Sequence, residues 1–400
     1  KALETGGPYQ LQIIGKENPI SIKDILIGDV WLCSGQSNMQ WVVNNVTNAE
    51  VEKKNANYPQ IRTLNIPRRM ELSPKDTISA TWLVCSPENV GRFSGVAYFF
   101  AKKVYEETNI PIGIINSSWG GTIVETWTSL EAANTLPQKR LDRYNKNEKL
   151  FPPTEYLTRK NKEAKRNDYP SLVYNAMIHP LLSFSIKGVL WYQGENNVGN
   201  AEPYTDWLTC MIGDWRNRWN SELPFYIIQL PNFDSINKKP LWAEMRDAQS
   251  KVLAVPGTHL IVTSDLGDPY DLHPRNKQEV GMRAALQALH YEYGYSDIVS
   301  ESPMFERMEI NGDKVIITFK NTGSGLEIRS RYGCLQGFAI AGEDKKFHWA
   351  LGELKDNRIV IWSPKVPNPV AVRYNWENNP DGNLYNKDGL PACLFRTDNW

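Results

Sequence analysis

Short apolar runs alternate with amphipathic stretches between residues 29 and 298. The runs are bounded by turn residues, which is the pattern of buried strands. They cover residues 30–33, 111–116, 186–192, 225–230 and 259–263. Helical periodicity covers residues 93–108, 203–219, 242–252 and 276–293, the last with Asn276 as the predicted N-cap. Strands and helices in alternation predict a parallel sheet with helices on both faces.

Two segments interrupt this alternation. Residues 44–90 are polar and contain several prolines, so we expect mostly loop there. Residues 131–170 are dense in Lys, Arg, Asn and Glu. Because acidic residues are interleaved with the basic ones throughout, this segment is typical of a solvated helical excursion and not of a nucleic-acid surface.

The pattern changes after residue 298. Short strands with alternating or buried character cover residues 315–319, 337–340, 358–362 and 370–374, separated by Gly, Asn and Pro turns. This predicts an antiparallel β-sandwich. Residues 8–27 also alternate like strands, and we expect them to pair with the sandwich. The predicted division is therefore residues 1–27 with the β domain, 28–298 as the catalytic domain and 299–400 as the C-terminal β-sandwich domain.

Composition narrows the class of protein. The 400 residues are 41% hydrophobic and 22% charged, and 45 basic residues balance 45 acidic ones. The chain has no global positive field for nucleic acid, and no apolar stretch approaches the ~18 residues of a membrane span. Five cysteines lie far apart, so a zinc site is disfavoured and no metal or cofactor is expected. The chain opens without Met inside a strand-like pattern, and we expect it to begin within a longer precursor.

Candidate chemistry lies in the polar loops that follow the predicted strands, because such loops converge at one edge of a parallel sheet. Ser37 follows the first strand and is the candidate nucleophile. His273 follows the fifth and can serve as its base, since a serine hydroxyl is a weak nucleophile until a neighbour accepts its proton. Asp271 can orient that imidazole. The backbone N–H of Gly121, the Ser37 N–H and a side-chain amide of Gln193 or Asn197 could hold an oxyanion.

Each of these residues also has an ordinary interpretation. A serine in a Gly-rich turn is usually a turn residue, and a histidine before a proline can cap a helix. Glu195 could be a structural carboxylate. The coincidence of polar loops after successive strands favours the catalytic interpretation. Gly35-Gln36-Ser37-Asn38-Met39 is not a G-x-S-x-G elbow, which argues against the common α/β-hydrolase fold.

Four of these loops resemble the sialate O-acetylesterase family of SGNH hydrolases. The segments are Cys-Ser-Gly-Gln-Ser-Asn-Met at 33–39, Asn-Ser-Ser-Trp-Gly-Gly-Thr at 116–122, Trp-Tyr-Gln-Gly-Glu-Asn-Asn at 191–197 and Asp-Leu-His-Pro-Arg-Asn-Lys at 271–277. Residues 337–344 and 378–395 look like the C-terminal β domain of that family. The resemblance implies a flavodoxin-like three-layer α/β/α core, metal-free ester hydrolysis through an acyl-serine and an exported protein, periplasmic or secreted. It also implies that Ser37 is the nucleophile, His273 the base and Gly121 the oxyanion glycine, with Gln36 and Glu195 near the substrate.

Two departures from the superfamily leave alternatives open. The usual Gly-x-Asn-Asp block is Gly-Glu-Asn-Asn at 194–197, so the side-chain oxyanion donor is not fixed. The usual Asp stands three residues before the His, where this chain has Tyr270. Asp271 is the predicted acid and Asp268 the reserve, and a Ser–His dyad oriented by a backbone carbonyl is a third possibility.

The predicted function is hydrolysis of O-acetyl esters on carbohydrate, with O-acetylated sialic acid as the first candidate substrate. Acetylated xylan or pectin is the nearer alternative, because the acetyl group is common to all of these substrates. A carbohydrate-binding protein without turnover is the more distant one, suggested by 14 Trp and 18 Tyr residues. Sialic acid would require a cation in the cleft, and residues 131–170 could supply it.

Overall fold

The computed structural model describes residues 3–15, 18–142, 169–234 and 239–400. The strands are β1 Gly6–Ile13, β2 Ile20–Ile27, β3 Asp29–Gly35, β4 Tyr58–Asn65, β5 Trp82–Cys85, β6 Ile112–Ser118, β7 Gly188–Tyr192, β8 Phe225–Ile228, β9 Thr258–Ile261, β10 Met304–Asn311, β11 Lys314–Lys320, β12 Leu326–Ile328, β13 Phe338–Ala341, β14 Phe347–Trp349, β15 Leu351–Lys355, β16 Arg358–Trp362, β17 Ala371–Tyr374, β18 Leu384–Asn386 and β19 Phe395–Arg396. The α-helices include α1 Ser37–Gln40, α2 Ala49–Asn55, α3 Gly95–Thr108, α4 Leu130–Ala133, α5 Ala201–Trp219, α6 Leu241–Lys251 and α7 Lys277–Glu292.

The central sheet has seven strands in the order β5-β4-β6-β3-β7-β8-β9. All neighbouring strands are parallel except β5, which pairs antiparallel with β4 at the edge. The five predicted strands are β3, β6, β7, β8 and β9. Numbered along the chain, they lie in the order 2-1-3-4-5, which is flavodoxin-like. The predicted α/β core is therefore confirmed.

Strand β3 shows how the sheet divides the core into two layers. Trp31 and Cys33 pack into one apolar cluster, whereas Leu32 packs into the other, because successive side chains of a strand point to opposite faces. Helices α3 and α7 cover the first face, and α5 and α6 cover the second. The result is the three-layer arrangement that the periodicity predicts.

The expectation that residues 44–90 form mostly loop is wrong in part. This segment contains α2, strand β4 and the edge strand β5. Strand β4 escaped prediction because Pro59 follows its first residue and its polar residues mask the alternation. At its inner end, Ile61, Thr63 and Leu64 are buried beside β6, so tertiary pairing determines the strand more than local propensity does.

The C-terminal region consists of antiparallel sheets, as predicted. Strands β10-β11-β16-β15 form one sheet and β14-β13-β17-β19 form another, with β12 and β18 as a separate pair. Side chains from all three sheets share one apolar cluster, with Ile317, Ile340 and Ile361 among its fully shielded members. This arrangement confirms the mostly antiparallel β domain.

The opening strands pair differently from expectation. Strands β1 and β2 pair antiparallel with each other, and within the described part of the chain neither is bonded into a C-terminal sheet. Their polar contacts go to β4, where Arg62 donates to the backbone and carboxylate oxygens of Asp24. The division of the chain into domains at residues 27 and 298 stays a prediction.

Two further expectations concern the helices. The predicted N-cap is confirmed, since the Asn276 side chain accepts a hydrogen bond from the Glu279 N–H at 3.2 Å. Of the predicted excursion at 131–170, residues 143–168 lie outside the described part of the chain. No helix within the described ranges has both the length and the apolar character needed to cross a membrane.

Candidate active site

Ser37 lies at the point where the strand order of the central sheet reverses. It follows β3, which is flanked by β6 on one side and β7 on the other. The chain leaves β3 through Gly35, whose φ is +136° and where an added Cβ would lie 2.1 Å from the Tyr192 carbonyl oxygen. Only glycine fits this turn. Ser37 then becomes the first residue of α1, at the carboxyl edge where ligands bind in open α/β sheets.

His273 meets Ser37 across 236 residues of sequence, with Nε2 at 2.7 Å from the serine Oγ. The Trp41 indole stacks on the imidazole, with ring centroids 4.8 Å apart and planes 9° from parallel. Burial lowers the pKa of His273, and the positive charge of Lys277 lowers it further, while Asp271 opposes the shift. These surroundings therefore favour the neutral form of His273, which can accept a proton.

Asp271 lies near His273 but does not hold its ring closely. The carboxylate accepts the His273 backbone N–H at 2.8 Å, whereas its distance to the imidazole Nδ1 is 4.0 Å. Asp268 instead accepts the backbone N–H of Tyr270. Tyr270, at the place of the superfamily acid, is 91% exposed. Of the candidate acids, Asp271 is thus the one beside the histidine, at a distance longer than a hydrogen bond.

The loop after β6 brings two glycines beside Ser37. The Trp119 N–H donates to the Gly35 carbonyl at 2.9 Å, which ties this loop to the turn after β3. An added Cβ on Gly120 would lie 3.1 Å from the Ser37 Cβ, so the absence of a side chain permits the close approach. The Gly120 N–H donates to the Gln40 side chain at 2.9 Å. Gly121, the predicted oxyanion glycine, is the next residue.

The loop after β7 contains the predicted side-chain donors, and both donate hydrogen bonds within the fold. The Gln193 amide donates to the Thr122 carbonyl at 3.1 Å and to Asn197 Oδ1 at 2.7 Å. Asn197 Nδ2 donates to Glu125 at 2.9 Å. Both side chains are buried. Both hydrogens of the Gln193 amide thus have protein acceptors, and one hydrogen of the Asn197 amide has one.

Gln36 and Glu195 also make contacts within the protein. Gln36 Oε1 accepts the N–H groups of Gly194 and Asn196, at 3.1 and 3.3 Å. Glu195 Oε1 accepts the Asn38 amide at 2.6 Å. Burial raises the pKa of the Glu195 carboxyl. The structure thus joins the loops after β3 and β7 through these two side chains.

Three residues near the Ser37–His273 pair were not singled out from the sequence. Trp41 stacks on the imidazole, and Asn38 and Lys277 form a buried hydrogen bond to each other. Asn38 lies in the segment 33–39 and Lys277 in the segment 271–277, so the family resemblance of these segments could have pointed to both residues. Trp41 follows the first segment directly, but its stacking depends on where a distant loop places His273.

The site offers no evident metal ligands. Over residues 3–15, 18–142, 169–234 and 239–400, no group of three or more His, Cys, Asp or Glu side chains is arranged to hold a metal ion.

Comparisons with known proteins agree with this architecture. The family model described as carbohydrate esterase, sialic acid-specific acetylesterase, matches residues 27–290. Human sialate O-acetylesterase is 32% identical over 353 residues, which cover 79% of this chain and 64% of the human protein's length. The mouse sialate O-acetylesterase is 31% identical over 428 residues, covering 94% of this chain and 78% of the mouse protein.

A solved structure is similar over the whole chain. The crystal structure of a carbohydrate acetylesterase from Xanthomonas citri has a TM-score of 0.89 and 39% sequence identity to this chain, and the match covers 100% of this chain and 87% of that one. The sequence match, the flavodoxin-like sheet and the strand-end loops coincide. The chain belongs to the sialic acid-specific acetylesterase family of carbohydrate esterases.

Proposed function

We propose that this protein hydrolyses O-acetyl esters on carbohydrate through an acetyl-serine intermediate. The observation that carries the proposal is the 2.7 Å contact between His273 Nε2 and Ser37 Oγ at the carboxyl edge of the sheet. The distance suits transfer of the hydroxyl proton to the ring nitrogen. Membership of a family of carbohydrate acetylesterases supports the ester and the sugar.

The proposed reaction has two halves. Ser37 Oγ forms a bond to the acetyl carbonyl carbon while its proton passes to His273 Nε2. The tetrahedral intermediate then breaks its bond to the sugar oxygen, which leaves with the proton from His273. In the second half, water gives a proton to His273 and attacks the acetyl-enzyme, which releases acetate and restores the serine hydroxyl.

We assign oxyanion stabilisation to backbone groups. Ser37 is the first residue of α1, where a helix N–H has no acceptor within the helix. Gly120 lies against Ser37, so Gly121 follows at the same edge. The N–H groups of Ser37 and Gly121 are therefore the proposed donors. Gln193 receives a scaffold role, because both of its amide hydrogens already have buried acceptors. Asn197 Nδ2 donates one hydrogen bond, to Glu125, so Asn197 stays the alternative side-chain donor.

For the acid, we propose that Asp271 acts through its charge and through the backbone of His273. With the serine proton moving to Nε2, the ring must carry its own proton on Nδ1. Asp271 Oδ1 is 4.0 Å from that nitrogen, close enough for its charge to favour the imidazolium that forms. The site thus lies between a triad and a dyad.

O-acetylated sialic acid is the first substrate to test, because human and mouse relatives carry the name sialate O-acetylesterase. Acetylated xylan and pectin come next. The periplasmic or secreted location expected from the resemblance stays a prediction.

The decisive experiment compares wild type with Ser37→Ala on p-nitrophenyl acetate and on a panel of acetylated sugars. Wild type should release acetate from at least one sugar, and the variant should lose release by at least about 10³-fold. Full activity in the variant would refute the serine mechanism. Sugar binding by both proteins without acetate release would instead favour a carbohydrate-binding protein.

A further inference from the structure

A buried lysine lies close behind the Ser37–His273 pair. Lys277 is the first residue of α7, and its side chain is shielded completely from solvent. The position is unfavourable for an ammonium group in two ways. Burial removes its hydration, and the N-terminus of a helix carries positive partial charge. A lysine held there needs compensating contacts, and these identify its role.

The contacts of Lys277 converge on the residue after the nucleophile. Its Nζ donates a hydrogen bond to Asn38 Oδ1 and lies 5.6 Å from the centroid of the Tyr192 ring. The Asn38 amide nitrogen donates in turn to Glu195 Oε1 at 2.6 Å and to the Leu272 carbonyl at 3.1 Å. Asn38 thus uses its carbonyl oxygen and its amide group at the same time.

These bonds connect the two halves of the site. Asn38 directly follows Ser37, and Leu272 directly precedes His273. The orientation of the Asn38 amide is fixed by charge, because a reversed amide would place its NH₂ against the ammonium and its oxygen against the carboxylate. Lys277 and Glu195 therefore select the orientation in which Asn38 holds the histidine loop.

The charged and titratable groups that face Lys277 come from three elements. Glu195 faces it from the loop after β7, Tyr192 from β7 itself, and Asp271 and His273 from the loop before α7. Burial lowers the pKa of Lys277 to about 7, while Glu195 and Asp271 raise it. In mildly acidic solution the amine is therefore protonated, and its charge disfavours protonation of His273.

We propose that Lys277 is a positioning residue for the Ser37–His273 pair, acting through Asn38 with Glu195 as its counter-charge. Lys277 fixes the position of the Ser37 side chain relative to the His273 imidazole, and its positive charge disfavours protonation of that imidazole. This inference rests on the proposed esterase function. Since Lys277 is inaccessible to solvent, it cannot contact substrate, and its effect must appear in turnover and not in binding.

The first test replaces Lys277 with Met, which preserves length without charge. On p-nitrophenyl acetate, Lys277→Met should lower kcat about tenfold or more and change KM by less than about twofold, because misplaced reacting groups slow the chemical step. The acid limb of kcat/KM should move to higher pH, because His273 loses a cation that lowered its pKa. Lys251→Met is the matched control, since Lys251 lies on α6 with 57% of its side chain exposed.

The second test covers the case in which Lys277→Met does not fold. Glu195→Gln keeps an oxygen that can accept the Asn38 amide but removes the charge that favours protonated Lys277. The acid limb should shift in the same direction, by less. The double variant should be less impaired than the sum of the two single effects, because both act through Asn38.

The outcomes separate the two proposals. If Ser37→Ala stays active, the esterase mechanism itself fails. If Ser37→Ala is inactive while kcat and the acid limb of Lys277→Met match those of Lys251→Met, Lys277 is purely structural and the inference is overturned. Where only Glu195→Gln folds, a wild-type kcat together with an unshifted acid limb overturns the inference in the same way.

Discussion

The loops after β3 and β7 look alike in sequence but differ in how their polar side chains are used. Both follow buried strands and both contain Gly with Gln and Asn. After β3, Ser37 is partly exposed, and its hydroxyl lies 2.7 Å from Nε2 of a distant histidine. After β7, the amides of Gln193 and Asn197 are buried and donate to acceptors within the fold.

The comparison separates chemistry from scaffold by hydrogen-bond saturation. A group that must bind a transition state has to keep a donor or a nucleophilic atom available until substrate arrives. A buried amide whose hydrogens already have acceptors would have to break those bonds first, at about 1–3 kcal/mol each. Under the proposed mechanism, Gln193 in the loop after β7 therefore supports the site, whereas Ser37 in the loop after β3 reacts with the ester.

The largest loss of turnover is expected when the base is removed. We expect His273→Ala to lower kcat on p-nitrophenyl acetate by about 10³-fold or more, since Ser37 then has no proton acceptor at 2.7 Å. Steady-state kinetics and a thermal melt measure the effect. A loss below about tenfold in a variant that melts like wild type would show that the 2.7 Å contact has no role in turnover.

Removing the Asp271 carboxylate should lower kcat less than removing an acid that is hydrogen-bonded to the histidine ring. We expect Asp271→Asn to lower kcat about tenfold, whereas an acid bonded directly to the ring contributes about 10⁴-fold. The acid limb of the pH profile should move to lower pH, because Asp271 raises the pKa of His273. Asp268→Asn is the matched control, since its carboxylate bonds to the Tyr270 backbone instead. A larger effect of Asp268→Asn would exchange the roles of the two.

The contact between Ser37 and His273 was predictable because it follows from topology. Each residue lies in the segment that follows a strand of apolar pattern, and the carboxyl ends of parallel strands meet at one edge. Asn276 was predictable for a local reason, as its cap depends on the three residues that follow. The strand-end pattern around Ser37 and the cap pattern at Asn276 can each be recognised within a short window of sequence.

Other features depend on partners from distant elements. Whether Gln193 is available for catalysis is decided by Thr122 and Tyr204, which reach it from other parts of the chain. The stacking of Trp41 on His273 requires the final position of a loop 232 residues further on. Strand β4 likewise forms because β6 lies beside it. Periodicity cannot reveal contacts of this kind.

The pH profile of wild type tests whether the base is tuned by its surroundings. Burial and Lys277 lower the pKa of His273 below its ordinary value of about 6.5. The neutral, proton-accepting form therefore persists to lower pH, and kcat/KM should fall only as pH drops through the lowered pKa. At pH 6.5 the enzyme should keep more than about half of its plateau rate, measured on p-nitrophenyl acetate with buffer controls. A midpoint above 6.5 would contradict this tuning.

The smallest effect on turnover is expected at Gln193, where the comparison between the two loops is tested most directly. Gln193→Leu leaves the Thr122 carbonyl, Asn197 Oδ1 and the Tyr204 hydroxyl without this partner. We expect a loss of at least about 2 kcal/mol in the free energy of unfolding. The kcat of the folded fraction should stay within about threefold of wild type, because Gln193 supplies no donor to the oxyanion.

Asn196→Ala is the control from the same loop, since the Asn196 side chain is exposed. Its melting temperature should match that of wild type. The contrary result is equally clear: a side-chain oxyanion donor contributes about 10²–10³-fold to kcat. If Gln193→Leu loses that much turnover while remaining folded, the Gln193 amide must exchange its buried acceptors for the oxyanion during the reaction. Hydrogen-bond saturation in the resting enzyme would then fail to distinguish scaffold from catalytic groups at this site.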